Sequence, residues 1–163
     1  MTSQTITSTK AASSITEIKK VSTNETLFSF SFASDPESMS PRDLQWQVAL
    51  GKEISKAVQD GVDLRGADFS NRDMRRLNLT GLDLRGADFS GSALDHSQLA
   101  FANLSNANLR GVHMVRGSLA HANLLGACLA GAHFSMTDLT GVVAWSGERA
   151  SELPMSTAKR SDK

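Results

Sequence analysis

Gly61-Val62-Asp63-Leu64-Arg65-Gly66-Ala67-Asp68-Phe69-Ser70 recurs twenty residues later as Gly81-Leu82-Asp83-Leu84-Arg85-Gly86-Ala87-Asp88-Phe89-Ser90, with one change in ten. A shorter repeat lies inside this longer one. Every fifth residue from Leu64 is large and apolar: Leu64, Phe69, Met74, Leu79, Leu84, Phe89, Leu94 and Leu99. The series runs on through Leu104, Leu109, Met114, Leu119, Leu124, Leu129, Phe134 and Leu139. All sixteen positions hold Leu, Phe or Met without an insertion. Neither the helical period of about 3.6 nor the strand period of about 2 produces such a series. Internal repetition therefore decides the fold.

The flanking positions repeat too. Two residues before the apolar centre stands a small or apolar residue, as in Val62, Ala67, Ala87, Ala102, Ala107, Ala122, Ala127 and Ala132. Immediately before the centre, Asp or Asn dominates, and Gly is frequent two residues after it. The units Ala67-Asp68-Phe69-Ser70-Asn71, Ala87-Asp88-Phe89-Ser90-Gly91, Ala102-Asn103-Leu104-Ser105-Asn106 and Ala107-Asn108-Leu109-Arg110-Gly111 resemble the pentapeptide-repeat family, whose unit is A(D/N)LXX. The resemblance covers about half of the chain. It implies an all-β solenoid, a right-handed quadrilateral β-helix in which four pentapeptides make one coil. Sixteen units then make about four coils, which at about 4.8 Å per layer form a rod roughly 20 Å long.

In such a rod the sixteen centres and the small residues before them point inward. Each buried centre contributes roughly 1.5–3 kcal/mol. Asp, Asn and Gly suit the corners, where side chains bond to backbone and backbone angles are unusual. Coils depend on their neighbours, so the ends need caps. An N-terminal capping α-helix is expected over 41–60, with Ser40 as N-cap and Pro41 at the first helical position. Its apolar stripe is read as Leu44, Val48, Ile54 and Val58, widened by Leu50 and Ala57. Asp60-Gly61 ends it. The predicted organisation is a Ser/Thr-rich flexible leader over 1–40, the helix over 41–60, the repeats over 61–145 and a polar tail over 146–163.

Composition narrows the function. Lys plus Arg and Asp plus Glu each number 17, so there is no general bias toward nucleic acid or anionic lipid. Cys128 is the lone cysteine, which excludes an internal disulfide and suits a reducing compartment. No apolar run approaches the roughly 20 residues needed to cross a bilayer. The N-terminus lacks the basic and apolar regions of a secretory signal. These features predict a cytoplasmic protein, or an effector secreted into a host cell by another route.

No nucleophile–base pair or phosphate-binding loop accompanies the repeats, and no cofactor or metal is expected. His113 and His133 occupy equivalent positions twenty residues apart and should stack, but no further ligands converge on them. Arg75, Arg76 and Arg116 share their side, forming a mildly basic stripe opposed by Asp73 and Asp95. Phe101, Val115, Leu125 and Met136 fall at outward positions and, with Trp145, form the apolar contact candidates. The C-terminal end, with Val142, Val143 and Trp145, offers a homodimer surface. Arg72 departs from the pattern, because its position should be small and inward-facing. Either the first coil is distorted there, or Arg72 emerges at the cap and pairs with a helix carboxylate such as Asp60 or Glu53. Phe28, Phe30 and Phe32 alternate as in a strand, and are read either as a strand along the side of the repeats, as a segment that docks on a chaperone or target, or as a sticky patch in a flexible leader.

The reading is a non-enzymatic protein-interaction module, an expectation that extends to a secreted bacterial effector because family effectors pair a Ser/Thr-rich leader with a compact repeat. The alternatives are a DNA mimic that protects or inhibits a topoisomerase, and a phage-encoded inhibitor of a host enzyme. Residues 61–145 hold seven Asp against seven Arg, which counts against an acidic DNA mimic. The partner is expected to be a protein rather than nucleic acid or membrane.

Overall fold

A computed structural model of the chain describes residues 15–31 and 44–144, with side chains described over 17–29 and 49–144. Expectations for Phe32, Ser40, Pro41, Trp145 and the tail lie outside the described residues. Five elements are formed in chain order: β1 (Ile15–Lys19), β2 (Thr26–Ser31), α1 (Leu44–Gln59), β3 (His113–Val115) and β4 (His133–Ser135).

The repeats pair with themselves at a fixed offset of twenty residues. Parallel bridges join Asp68 to Asp88, Asp83 to Asn103, Asp88 to Asn108 and Asn103 to Asn123. β3 and β4 pair in the same register, His113 with His133. The amide of a central residue donates to the carbonyl nineteen residues on: Phe69 to Asp88 at 2.7 Å, Leu84 to Asn103 at 2.9 Å and Leu104 to Asn123 at 2.8 Å. Residues twenty apart therefore form columns, and four columns of centres line the interior. Fifteen of the sixteen centres are buried, while Leu129 is only partly so. They join one apolar cluster, inside which the Phe69 and Phe89 rings stack at 5.2 Å.

The corners follow from turn chemistry. The amide three residues after a centre donates back to its carbonyl, as from Ala87 to Leu84 and from Ala107 to Leu104. The residue two after the centre has positive φ in all sixteen units, from Gly66 to Gly141. Such a turn demands the left-handed region at its third residue, which suits Gly and, less well, Asn. The Asp or Asn before the centre accepts from the amide two residues on, as Asp68 does from Ser70 and Asn123 from Leu125. The acidic ladder is thus corner chemistry.

Small inward hydroxyls join the turns further. Ser92 Oγ donates to the Phe69 carbonyl, Ser97 Oγ to that of Met74 and Thr137 Oγ1 to that of Met114, at 2.6, 2.6 and 2.8 Å. The Leu77 amide in turn donates to Ser97 Oγ at 3.3 Å. Ser97→Ala would orphan both the Met74 carbonyl and the Leu77 amide in a buried site. We expect it to cost about 1–3 kcal/mol in urea unfolding, and a loss below a few tenths would contradict this reading of the hydroxyl.

α1 ends where expected. Gly61 (φ +76°) donates to the Val58 carbonyl at 3.1 Å, and Val62 to that of Ala57 at 2.8 Å. This is the paired closure of a Schellman motif, with Val62 partly buried in the apolar cluster as its companion contact. The expectations for Leu44 and Val48 lie outside the described side chains, and among these the buried stripe is Leu50, Ile54 and Ala57, at helical spacing. Val58 does not belong to it: at 40% exposure it faces solvent, because the Ala57 side of the helix is the one turned to the repeats. Gly51 brings the helix close, since a Cβ there would sit 3.1 Å from Leu77 Cδ2.

Within the segment expected as a flexible leader, residues 15–31 form two strands. β1 and β2 form an antiparallel hairpin, with Ile18 opposite Phe28. Lys20 bridges Ala67 antiparallel, Val21 donates to the Gly66 carbonyl, and Asp68 donates to that of Lys19. Ile18 is fully buried in the common apolar cluster, and Leu27 and Phe28 pack partly against it. The physical reason is an exposed backbone edge at the first repeats, which an added strand satisfies. The strand that runs along the repeats is β1 rather than the phenylalanine strand β2, which pairs with β1 and lies against α1.

Candidate functional site

With columns fixed, each outward side chain has a place. Residues 61–80 define four sides, and every later unit adds to one of them. The first two carry the acidic ladder. Arg65 grips Asp63 through Nε and Nη2 at 2.7 Å each, and Arg85 holds Asp83 in the same way. Arg65 donating to Asp63 holds that carboxyl well below the usual carboxylate range, and Arg85 lowers Asp83 likewise. Asp88 instead accepts from Asn108 Nδ2 one turn away at 3.1 Å. The arginines thus neutralise Asp63 and Asp83, whereas Asn108 gives Asp88 a hydrogen bond without a charge.

The third side carries the histidines. The His113 and His133 rings stack at 5.8 Å with 4° between planes. His113 Nδ1 lies 2.9 Å from Asp95 Oδ1, and the same oxygen accepts from the Val115 amide at 2.8 Å. Arg75 is bound to Asp73 through two hydrogen bonds. Among the described residues no group of three His, Cys, Asp or Glu is arranged to hold a metal ion.

The apolar candidates do not form one patch. Val115 belongs to the histidine side and is half-buried rather than exposed. Leu125 is exposed on the Asp63 side, and Met136 stands at the corner after the histidines. Phe101 stands one corner further on, 64% exposed, with its ring stacked on His121 at 5.0 Å. Their grouping along the sequence is divided in space by the twenty-residue register.

Arg72 also has a different partner from the expected carboxylates. Its Nη2 donates to the Glu17 carbonyl of β1 at 3.1 Å, and its Nε is buried without an acceptor among the described residues. Burial pushes the guanidinium down from its ordinary value, and the Asp68 charge partly offsets this. β1, for which no strand signal was read, brings that carbonyl into reach. Arg72 thereby ties β1 to the first repeats.

One asymmetry was not visible in the candidates. At the corner position with positive φ, two columns obey the turn: Gly66, Gly86, Asn106 and Gly126 in one, Asn71, Gly91, Gly111 and Gly131 in the other. The third column holds Arg76, His96, Arg116 and Met136, with no glycine. The fourth holds Gly81, Phe101, His121 and Gly141. Six side chains thus occupy a conformation that costs a residue with a Cβ about 1–2 kcal/mol. All six belong to two adjacent corners. Gly141 has no such freedom, because a Cβ there would lie 2.3 Å from His121 Nδ1.

No helix among the described residues is long and apolar enough to cross a membrane. Similar solved structures include QnrB1, a plasmid-mediated fluoroquinolone resistance protein, at 31% identity over 46% of this chain and 37% of that one, with a TM-score of 0.44. HetL of Nostoc sp. strain PCC 7120, involved in heterocyst differentiation regulation, matches at 31% identity over 47% and 41%, with a TM-score of 0.26. A pentapeptide repeat protein of the Arabidopsis thaliana thylakoid lumen matches at 32% identity over 49% and 59%, with a TM-score of 0.20. The chain thus covers less than two thirds of the length of these proteins. It matches no curated protein. The model of pentapeptide repeats matches residues 60–91 and 97–135 in eight copies, and the repeat region consists of pentapeptide repeats.

Proposed function

We propose that the repeat region is a right-handed quadrilateral β-helix of about four coils, capped by α1, and that the chain is a non-enzymatic module that binds a partner protein. The twenty-residue ladder supports the coil reading, and the buried stripe of α1 facing Leu77 supports the cap. The observation that carries the function is how side chains are allocated. The interior and the two glycine-rich corners serve the fold, while long exposed side chains stand at the other two corners where the turn disfavours them. Such residues serve recognition more readily than stability.

Photo-crosslinking tests the reading. A photoreactive phenylalanine at Phe101, expressed in the native host, should give a protein adduct of defined mass that unlabelled protein competes away. Equivalent probes at Phe101 and at Ser90 that both give no competable adduct would end it. The finer reading, a secreted effector, rests on the Ser/Thr-rich segment before the hairpin. Fused to a reporter, residues 1–14 should direct export, and retention of the reporter would sink that part alone. The intimate Asp63–Arg65, Asp73–Arg75 and Asp83–Arg85 pairs favour this module over a DNA mimic, which needs uncompensated carboxylates.

A further inference from the structure

Besides Arg72, which is bound to the Glu17 carbonyl, three arginines of the repeats, Arg76, Arg110 and Arg116, form no ion pair among the described residues, whereas Arg65, Arg75 and Arg85 do. Arg76 and Arg116 stand in one column, forty residues apart and so two strand spacings, about 9.6 Å, along the stack. Across the adjacent side, the opposing corner carries the Phe101–His121 ring pair. Between the corners the outward side chains of the middle turns are short: Ala100, Ser118 and Ala120, all half-buried, beside Gln98. The side is thus a low floor between two raised edges, one cationic and one aromatic. Both edges are built from side chains held at positive φ, where the other two corners use only Gly or Asn.

We infer that this side, edged by Arg76 and Arg116 on one corner and by Phe101 and His121 on the other, receives an acidic segment of a partner protein that also carries apolar side chains. The inference rests on the interaction-module reading and names the surface and the chemistry of its partner. Charge complementarity selects the occupant, because among the described residues these guanidiniums have no carboxylate partner. An acidic segment can place a carboxylate on each arginine and an apolar side chain against the exposed Phe101 ring. A nucleic acid fits less well. The chain has no net charge, and among the described residues only two arginines without an ion pair line the side, few for a phosphate backbone. Met136 extends the cationic edge with an apolar side chain that a phosphate backbone would not use.

The full-length chain, isotopically labelled, is titrated at low salt with three probes: a twelve-residue peptide of alternating Glu and Leu, the same peptide with Lys for Glu, and oligothymidylate of equal length. The Glu peptide should give saturable amide shifts confined to residues 76–80, 96–101 and 116–121, weakening as salt rises. The Lys peptide should give none. Arg76→Gly with Arg116→Gly should weaken Glu-peptide binding at least about tenfold while the melting temperature stays at or above that of the parent, since glycine suits both positions. Arg110→Ala, which removes an unpaired arginine from another side, should leave affinity within about twofold.

Absence of saturable shifts with the Glu peptide overturns the proposal, as does a footprint on another side or an affinity indifferent to the paired glycine substitutions. Tighter binding of oligothymidylate on the same footprint replaces it with a nucleic-acid surface. A competable adduct from the Phe101 probe, found together with any of these failures, would leave the interaction module standing with a partner of other chemistry at the Phe101 corner.

Discussion

Phe89→Ala is expected to remove about 3–5 kcal/mol of stability from the repeat region, the largest effect of any single truncation in the molecule. The ring is fully buried in the column of centres that begins with Phe69, and the two rings stack at 5.2 Å. Truncation therefore removes both apolar transfer free energy and an aromatic pair worth about 0.5–1.5 kcal/mol. The decisive point is that the site cannot collapse. The Phe69 amide is fixed to the Asp88 carbonyl at 2.7 Å, and that of Phe89 to Asn108 at 2.8 Å. Layers held by these bonds keep their spacing, so the cavity stays open and the cost falls near the upper end of the range. Against a typical total of about 5–15 kcal/mol, that is a third or more of the stability of a small domain. Guanidinium unfolding followed by circular dichroism measures it. A loss below about 2 kcal/mol would mean that neighbouring turns close over the gap, and that they are less rigidly joined than their hydrogen bonds imply.

The same rigidity explains what could be read from the sequence. The centres were legible because each of the sixteen occupies a site whose demand is local and identical. Arg72 was legible as an exception by that standard, but its partner was not. Glu17 lies 55 positions away, on a hairpin whose docking is encoded by a free backbone edge at Gly66–Asp68 rather than by any periodicity. Ile18 looks unremarkable in the Ser/Thr-rich leader, yet it is fully buried once that edge recruits β1. The apolar contact candidates differ in another way. Phe101 and Leu125 look like neighbours in a list of apolar residues, whereas the twenty-residue register places them on different sides. The turn, and not the residue, sets the positive φ at each corner. Arg76 and Phe101 therefore adopt it as Gly66 does, and their cost becomes visible only when the backbone is known.

Gly117→Ala is expected to cost about 1–3 kcal/mol, for a reason unlike that of the corner glycines. Gly86 at a corner has nothing within 4 Å of an added Cβ, so substitution there meets only the penalty of its positive φ. Gly117 instead stands at a small inward position, two residues before Leu119. A Cβ there would lie 2.4 Å from Met114 Cε, 2.9 Å from its Cγ and 2.8 Å from the Ser97 carbonyl oxygen. The thioether chain can adopt another rotamer, since Met is flexible. The carbonyl cannot yield so easily, because it accepts the Ser118 amide at 3.0 Å within the ladder. Met114→Ala alone opens a cavity at a fully buried centre. Combined with Gly117→Ala it should recover part of the loss, as the new methyl occupies space the thioether has left. The recovery should be incomplete, because the Ser97 carbonyl still opposes the methyl. A double-mutant cycle by urea unfolding reads this coupling directly. Full additivity of the two substitutions would show that the backbone, and not Met114, sets the whole cost, whereas complete rescue would show that the Ser97 carbonyl moves freely and that adjacent turns slide past one another.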